Sequence, residues 1–255
     1  ISCSMVSVPV ASVTCLVTPL TSMSASDIRS SWVARRAWLR HCSALAAAVC
    51  VAAASPAHGQ GTSAAGAKAG APVLLVLGDS LSAEYGLARG AGWVALLEKR
   101  LAAEKLDWRV VNASISGETT SGGRSRVAAL LKEHKPRVVV VELGGNDALR
   151  GLPLDMTRNN LAEISRAAKG AGAQVLIAGM AMPPNYGRAY GEAFTALFAT
   201  VAKAEKTALV PFFLAGVADV PHADDLFQAD RIHPKAEAHP RMLANVWPAL
   251  RPLLR

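Results

Sequence analysis

Past Pro72 the chain alternates between short aliphatic runs and longer stretches in which apolar residues return every three or four positions. The short runs are VLLVL at 73–77, WRVVNA at 108–113, RVVVVEL at 137–143, QVLIAG at 174–179 and ALVPF at 208–212. They are apolar on both faces, as strands of a parallel sheet covered on both sides must be. Between them the spacing predicts helices near 92–104, 122–134, 156–171 and 189–205, with a last one following Pro240. Strand and helix in alternation imply right-handed crossovers. The expected fold class is therefore α/β, a three-layer α/β/α sandwich around a parallel sheet. Ligands of such sheets sit beyond the carboxyl ends of the strands, so the chemistry is sought there.

The first 70 or so residues follow another pattern and are expected to stay outside this core. Residues 1–22 hold no charged side chain and read as sequence upstream of a start at Met23. A basic stretch ending ARRAWLR then leads into the apolar run Ser43 to Ala54 and the small residues of SPAHGQ, the layout of a secretory leader over 23–59. The run is 12 residues long, short of the ~20 that a membrane span needs, so no permanent anchor is expected. The Arg35-Arg36 pair leaves general and twin-arginine export both open. Residues 60–71 are small and polar and read as a linker, leaving 72–255 as one catalytic-sized domain. An exported protein of this kind would work in a periplasm or outside the cell.

Composition narrows the chemistry. All four cysteines (Cys3, Cys15, Cys42 and Cys50) fall in the first 50 residues, so neither disulfides nor cysteine-held metal supports the domain. The formal charge of +8 drops to +5 once the residues before 60 are set aside, and the remaining basic residues are scattered rather than striped. Nucleic acid is not an expected partner.

Four blocks fall where ligands should bind. The first strand runs into Gly78-Asp79-Ser80-Leu81-Ser82, which places a serine just past a strand end. The second ends in Asn112-Ala113-Ser114-Ile115-Ser116-Gly117, where a glycine can bring a bare N–H close to a bound oxyanion. The third ends in Glu142-Leu143-Gly144-Gly145-Asn146-Asp147, delivering a neutral amide donor to the same rim. The last block is Asp230-Arg231-Ile232-His233-Pro234: a carboxylate three residues before a histidine can fold back to its Nδ1 and leave Nε2 free for a serine. Taken singly, each has an ordinary reading as a cap or a turn. Together, in the order Ser, Gly, Asn, His, they resemble the four motif blocks of the SGNH (GDSL) hydrolases.

The resemblance extends from about Pro72 to about residue 248 and is strongest to an exported bacterial branch of thioesterases, arylesterases and lysophospholipases, through VVNASISGETTSGG, VVVVELGGNDALRG and PPNYGRAYGEAF. It implies a flavodoxin-like five-stranded sheet, Ser80 as nucleophile, Asp230 and His233 completing a triad, and an oxyanion hole from Ser80 N–H, Gly117 N–H and the Asn146 side chain. It also implies that Asp79, Leu81, Met182, Pro183, Asn185 and Tyr186 bind substrate, with a mobile loop around Pro183 to Tyr190 shaping the acyl site. The implied enzyme is a monomer that needs no cofactor or metal and acts on a small acyl ester, thioester or lysophospholipid. Two departures stand out: Arg231 replaces the glycine usual between Asp and His in the family, and Pro248 and Pro252 are expected to kink or shorten the last helix.

Rival readings are weaker. A deacetylase of carbohydrate or small acetyl esters would use the same blocks and differ in the loop from Met182 to Gly191. The segment Gly90-Ala91-Gly92-Trp93-Val94-Ala95 fits G-x-G-x-x-A, but it begins more than ten residues after the first strand, where a dinucleotide fingerprint follows at once. A binding module without catalysis would not be expected to keep all four blocks.

Overall fold

The computed structural model describes residues 70–182 and 186–255. The upstream segment, the leader and nearly all of the linker therefore lie outside the described residues, as do Pro183 and Asn185.

Five strands form one parallel sheet: β1 (Val73–Gly78), β2 (Arg109–Asn112), β3 (Val138–Glu142), β4 (Gln174–Ala178) and β5 (Ala208–Val210), in the order β2-β1-β3-β4-β5. Each coincides with one of the five aliphatic runs. β1 and β3 are buried at every position, whereas the edge strands β2 and β5 are only partly so. β5 is shorter than its run because Pro211 has no N–H to continue a ladder.

Among the described residues six helices accompany the sheet: α1 (Trp93–Ala103), α2 (Thr120–His134), α3 (Gly145–Leu149), α4 (Leu154–Gly170), α5 (Arg188–Glu205) and α6 (His239–Leu250). α1 packs on α6, while α2, α4 and α5 pack successively on one another. Side chains of the two central strands fill the space between, joined by Trp93 against Phe213 and Phe194 against Phe198, both edge-on. The structure adds α3, which five residues could not announce as a period. It also carries α6 through Pro248 to Leu250, so the shortening expected there is slight. That proline stands two residues from the helix end, and Pro252 falls in the 3₁₀ turn that follows. No described helix is long and apolar enough to cross a membrane.

The strand order reverses between β1 and β3, and the crevice at such a switch point is the natural ligand site. Loops after both strands open into it. The glycine-rich segment before α1 has another use: Glu84 accepts the N–H of Gly90 at 3.0 Å and of Gly92 at 2.7 Å, which occupies the donors that a phosphate would need.

Candidate active site

β1 delivers the serine. Beyond Gly78 the chain closes a tight turn in which Ser82 N–H and Ala83 N–H donate to Asp79 O at 3.2 and 2.9 Å. Only glycine fits at 78, since a Cβ there would stand 2.8 Å from the Ser82 side chain and 2.9 Å from Ser114 Oγ.

The histidine arrives on a hairpin-like loop. Phe227 and Pro234 form an antiparallel bridge, Gln228 N–H donates to His233 O at 2.8 Å, and Lys235 N–H donates to Leu226 O at 2.8 Å. The Gln228 side chain donates to Tyr85 O at 2.9 Å, which ties this loop to the one carrying Ser80. Tyr85 in turn lies against the His233 ring, centroids 4.3 Å apart.

With both loops held, Ser80 Oγ lies 2.8 Å from His233 Nε2, and His233 Nδ1 lies 2.7 Å from Asp230 Oδ2. Asp230 Oδ1 accepts the N–H groups of Ile232 and His233 at 2.9 and 3.0 Å, so the carboxylate is fixed at both oxygens. Desolvation works to raise the Asp230 carboxyl, but the hydrogen bonds from the His233 ring and from these two N–H groups outweigh it and hold the group at about 2. A folded pKa below the unfolded one contributes stability that is complete above the ordinary carboxylate range and is lost as pH falls through about 2. Throughout the neutral range Asp230 is an anion that keeps a proton on Nδ1 and leaves Nε2 basic toward the serine.

Arg231 explains its own oddity. Its φ is +57°, in the left-handed region that a side chain disfavours and glycine enters freely. The turn keeps the shape a glycine would allow, at a local strain of about 1 kcal/mol. The Arg231 guanidinium reaches only a long, exposed contact of 3.7 Å to Asp224.

The three donors that the resemblance assigns to an oxyanion hole each have a hydrogen to give. Gly117 adopts φ +78°, which turns its peptide out of the strand direction. Among the described residues, neither Ser80 N–H nor Gly117 N–H donates to any protein acceptor. Asn146 Nδ2 gives one hydrogen to Asp79 Oδ2 at 3.0 Å and keeps the other.

Polar side chains with partners far along the chain fix the segments around these donors. Arg150 donates to Gly117 O at 2.9 Å. Asp147, buried, accepts Thr120 N–H at 2.8 Å, the Thr120 hydroxyl and the Thr157 hydroxyl at 3.2 Å, locking α3 to the starts of α2 and α4. Asp147 thereby caps α2, whose first N–H it accepts. His239 is also buried: its Nδ1 accepts Trp93 N–H at 3.0 Å at the start of α1, and burial pushes its pKa down, so it is a neutral structural group.

Asp79 and Leu81, expected to contact substrate, instead turn inward. Leu81 is 7% exposed and joins the core, and Asp79 is 2% exposed with its carboxylate taken by Leu81 N–H and Asn146. Met182 packs against the core at its edge, and Tyr186 is 39% exposed. The loop expected to reach Tyr190 ends sooner, at Gly187, because Tyr190 already lies in the first turn of α5.

A five-stranded α/β/α sandwich with a Ser-His-Asp chain at its carboxyl edge defines the class: a serine hydrolase, of the SGNH rather than the nucleophile-elbow kind. The chain belongs to the GDSL-like Lipase/Acylhydrolase family, whose sequence model matches residues 76–241. It is similar to Esterase TesA of Pseudomonas aeruginosa, with 56% identity over 187 residues, or 73% of this chain and 92% of the relative. It is also 44% identical over 186 residues to the Thioesterase 1/protease 1/lysophospholipase L1 of Escherichia coli K12, covering 73% of this chain and 86% of the other. Among solved structures it superposes on the psychrotrophic esterase EstA from Pseudoalteromonas sp., in a structure inhibited by monoethylphosphonate, with TM-score 0.67 and 37% identity over 71% of this chain and 98% of that one. The protein is a hydrolase acting on ester bonds.

Proposed function

We propose that the chain is an exported, monomeric esterase and thioesterase of acyl substrates, including lysophospholipids and aryl esters, with Ser80 as its nucleophile. His233 Nε2 takes the Ser80 proton as Oγ bonds to the acyl carbonyl carbon. The oxyanion so formed accepts from Ser80 N–H, Gly117 N–H and Asn146 Nδ2. Collapse expels the alcohol or thiol, protonated by His233, and leaves an acyl-enzyme that water opens by the same two steps. No step calls for a metal or cofactor.

The observation that carries this reading is the single hydrogen-bonded line from Asp230 through His233 to Ser80. An acyl substrate is supported by the surface around it. The exposed large hydrophobics among the described residues are Tyr85, Ile115, Tyr186 and Ile232. Tyr85 lies on His233, Ile232 precedes it, and Ile115 stands two residues before Gly117. An apolar chain leaving the carbonyl would meet the side chains beside His233 and Gly117. Export rests on the leader at 23–59, and the short apolar run there argues against a permanent anchor.

The test is hydrolysis of p-nitrophenyl esters from acetyl to palmitoyl. kcat/KM is expected to rise beyond acetyl and peak at a medium or long chain. A sharp preference for acetyl would replace this reading with a deacetylase. Asn146→Ala is expected to lower kcat about a hundred- to a thousandfold, the loss of one oxyanion donor. An unchanged kcat would remove Asn146 from the mechanism.

A further inference from the structure

Beneath the oxyanion side of the site two acids are buried together. Glu142, the last residue of β3, has no accessible surface, and Asp79, one step past β1, is 2% exposed. The register pairs Gly78 with Glu142, which brings Asp79 beside it. The donors around the two are accounted for. Glu142 Oε2 accepts the Ser82 hydroxyl at 2.7 Å and, more distantly, Asp79 N–H at 3.4 Å; Ser82 Oγ receives Trp93 Nε1–H at 3.1 Å. Asp79 Oδ1 accepts Leu81 N–H at 3.0 Å and Oδ2 accepts the Asn146 amide. Glu142 Oε1 is left buried without a partner among the described residues. The titratable groups acting on the pair are the two acids themselves and His233, whose charge favours the Asp79 anion.

Two adjacent anions without a cation cannot persist in a dry interior. An orphaned carboxyl oxygen beside a second carboxylate is where one proton removes both the repulsion and the missing hydrogen bond. We propose that Asp79 and Glu142 share a single proton, carried on Glu142, and that this pair is a positioning device that aims the Asn146 amide at the oxyanion. Asp79 must be an anion to draw in both Leu81 N–H and the amide, and a neutral Glu142 is what lets it remain one. Burial raises both groups, Asp79 to about 6 and Glu142 well above the ordinary range, the latter further by the charge of Asp79. The proton belongs on Glu142, which is fully buried with one oxygen unpartnered, and the anion on Asp79, whose two oxygens each accept an N–H donor.

The positioning half rests on Asn146 being an oxyanion donor; the proton itself does not, and the experiment separates them. In the full chain, Glu142→Ala is expected to lower kcat on a p-nitrophenyl ester about ten- to a hundredfold with KM little changed, through a misaimed donor. Glu142→Gln, permanently neutral and of the same shape, is expected to restore most of that loss. Full activity in the alanine variant, or a glutamine variant no better than alanine, overturns the positioning role. Urea unfolding without substrate reads the proton. Once pH exceeds the ordinary carboxylate range the unfolded chain has lost both protons while the native pair keeps one, so the unfolding constant of the wild type, divided by that of Glu142→Gln, should rise with pH toward tenfold per pH unit until the native pair also gives up its proton. A ratio that stays constant over that range overturns the shared proton, whatever the kinetics show.

Discussion

Replacing Ser80 by alanine is expected to lower kcat for ester hydrolysis by about a millionfold, leaving only the rate that binding and oxyanion donors supply by themselves. The side-chain oxygen of Ser80 makes one described hydrogen bond, to His233, so its removal takes away the atom that bonds to the acyl carbon and little that supports the fold. His233→Ala is expected to cost about as much, and the double variant scarcely more, because the two act as one unit. Steady-state kinetics on a medium-chain p-nitrophenyl ester, with thermal unfolding as the control for folding, makes the measurement. A Ser80→Ala protein that unfolds like the wild type and still turns over at more than about a hundredth of its rate would remove Ser80 as nucleophile.

The second large effect belongs to Asp230. Asp230→Asn is expected to reduce kcat by about ten-thousandfold with KM nearly unchanged. The geometry gives the reason. Oδ1 is occupied by two backbone N–H groups, so the amide oxygen of asparagine would take that place and its NH₂ would face His233 Nδ1. A donor opposite Nδ1 forces the proton onto Nε2, where it faces the serine and abolishes the base. Asp230→Ala would leave the tautomer unforced but would free the turn, so it should damage folding of the loop more and the tautomer less. If asparagine retained more than about a tenth of the wild-type rate, Asp230 would not be the orienting group.

Both predictions depend on a site assembled from distant segments, and the sequence declared its parts unevenly. The blocks around Ser80, Gly117, Asn146 and His233 were legible because each pairs a chemically special residue with a turn at a strand end, a local arrangement. The five strands were legible because parallel strands buried on both sides leave unbroken aliphatic runs. What was not legible is whatever depends on neighbours far along the chain. Gln228 and Arg150 look like ordinary polar residues until the fold sets one against Tyr85 O and the other against Gly117 O. Asp79 stands beside the nucleophile in sequence and was read as a substrate contact, yet the turn that exposes Ser80 drives the preceding side chain inward. Tyr85 gave no signal at all, since a lone exposed tyrosine has no periodicity to betray its place over His233.

The sequence by itself determined the layers of the fold, the edge of the sheet that carries chemistry, and the local turns that present a serine, a glycine N–H, an amide and an Asp-x-x-His pair. Tertiary structure alone decided that the serine and the histidine meet within hydrogen-bond reach: His233 and Ser80 are separated by 153 positions, and their 2.8 Å contact exists because two loops are pinned to each other above the switch between β1 and β3. It also decided the company of Glu142, a residue whose sequence context is only the end of a valine run. Side-chain period and turn chemistry are written in consecutive residues, whereas the pairing of buried charges arises from strand register, which brings distant segments side by side.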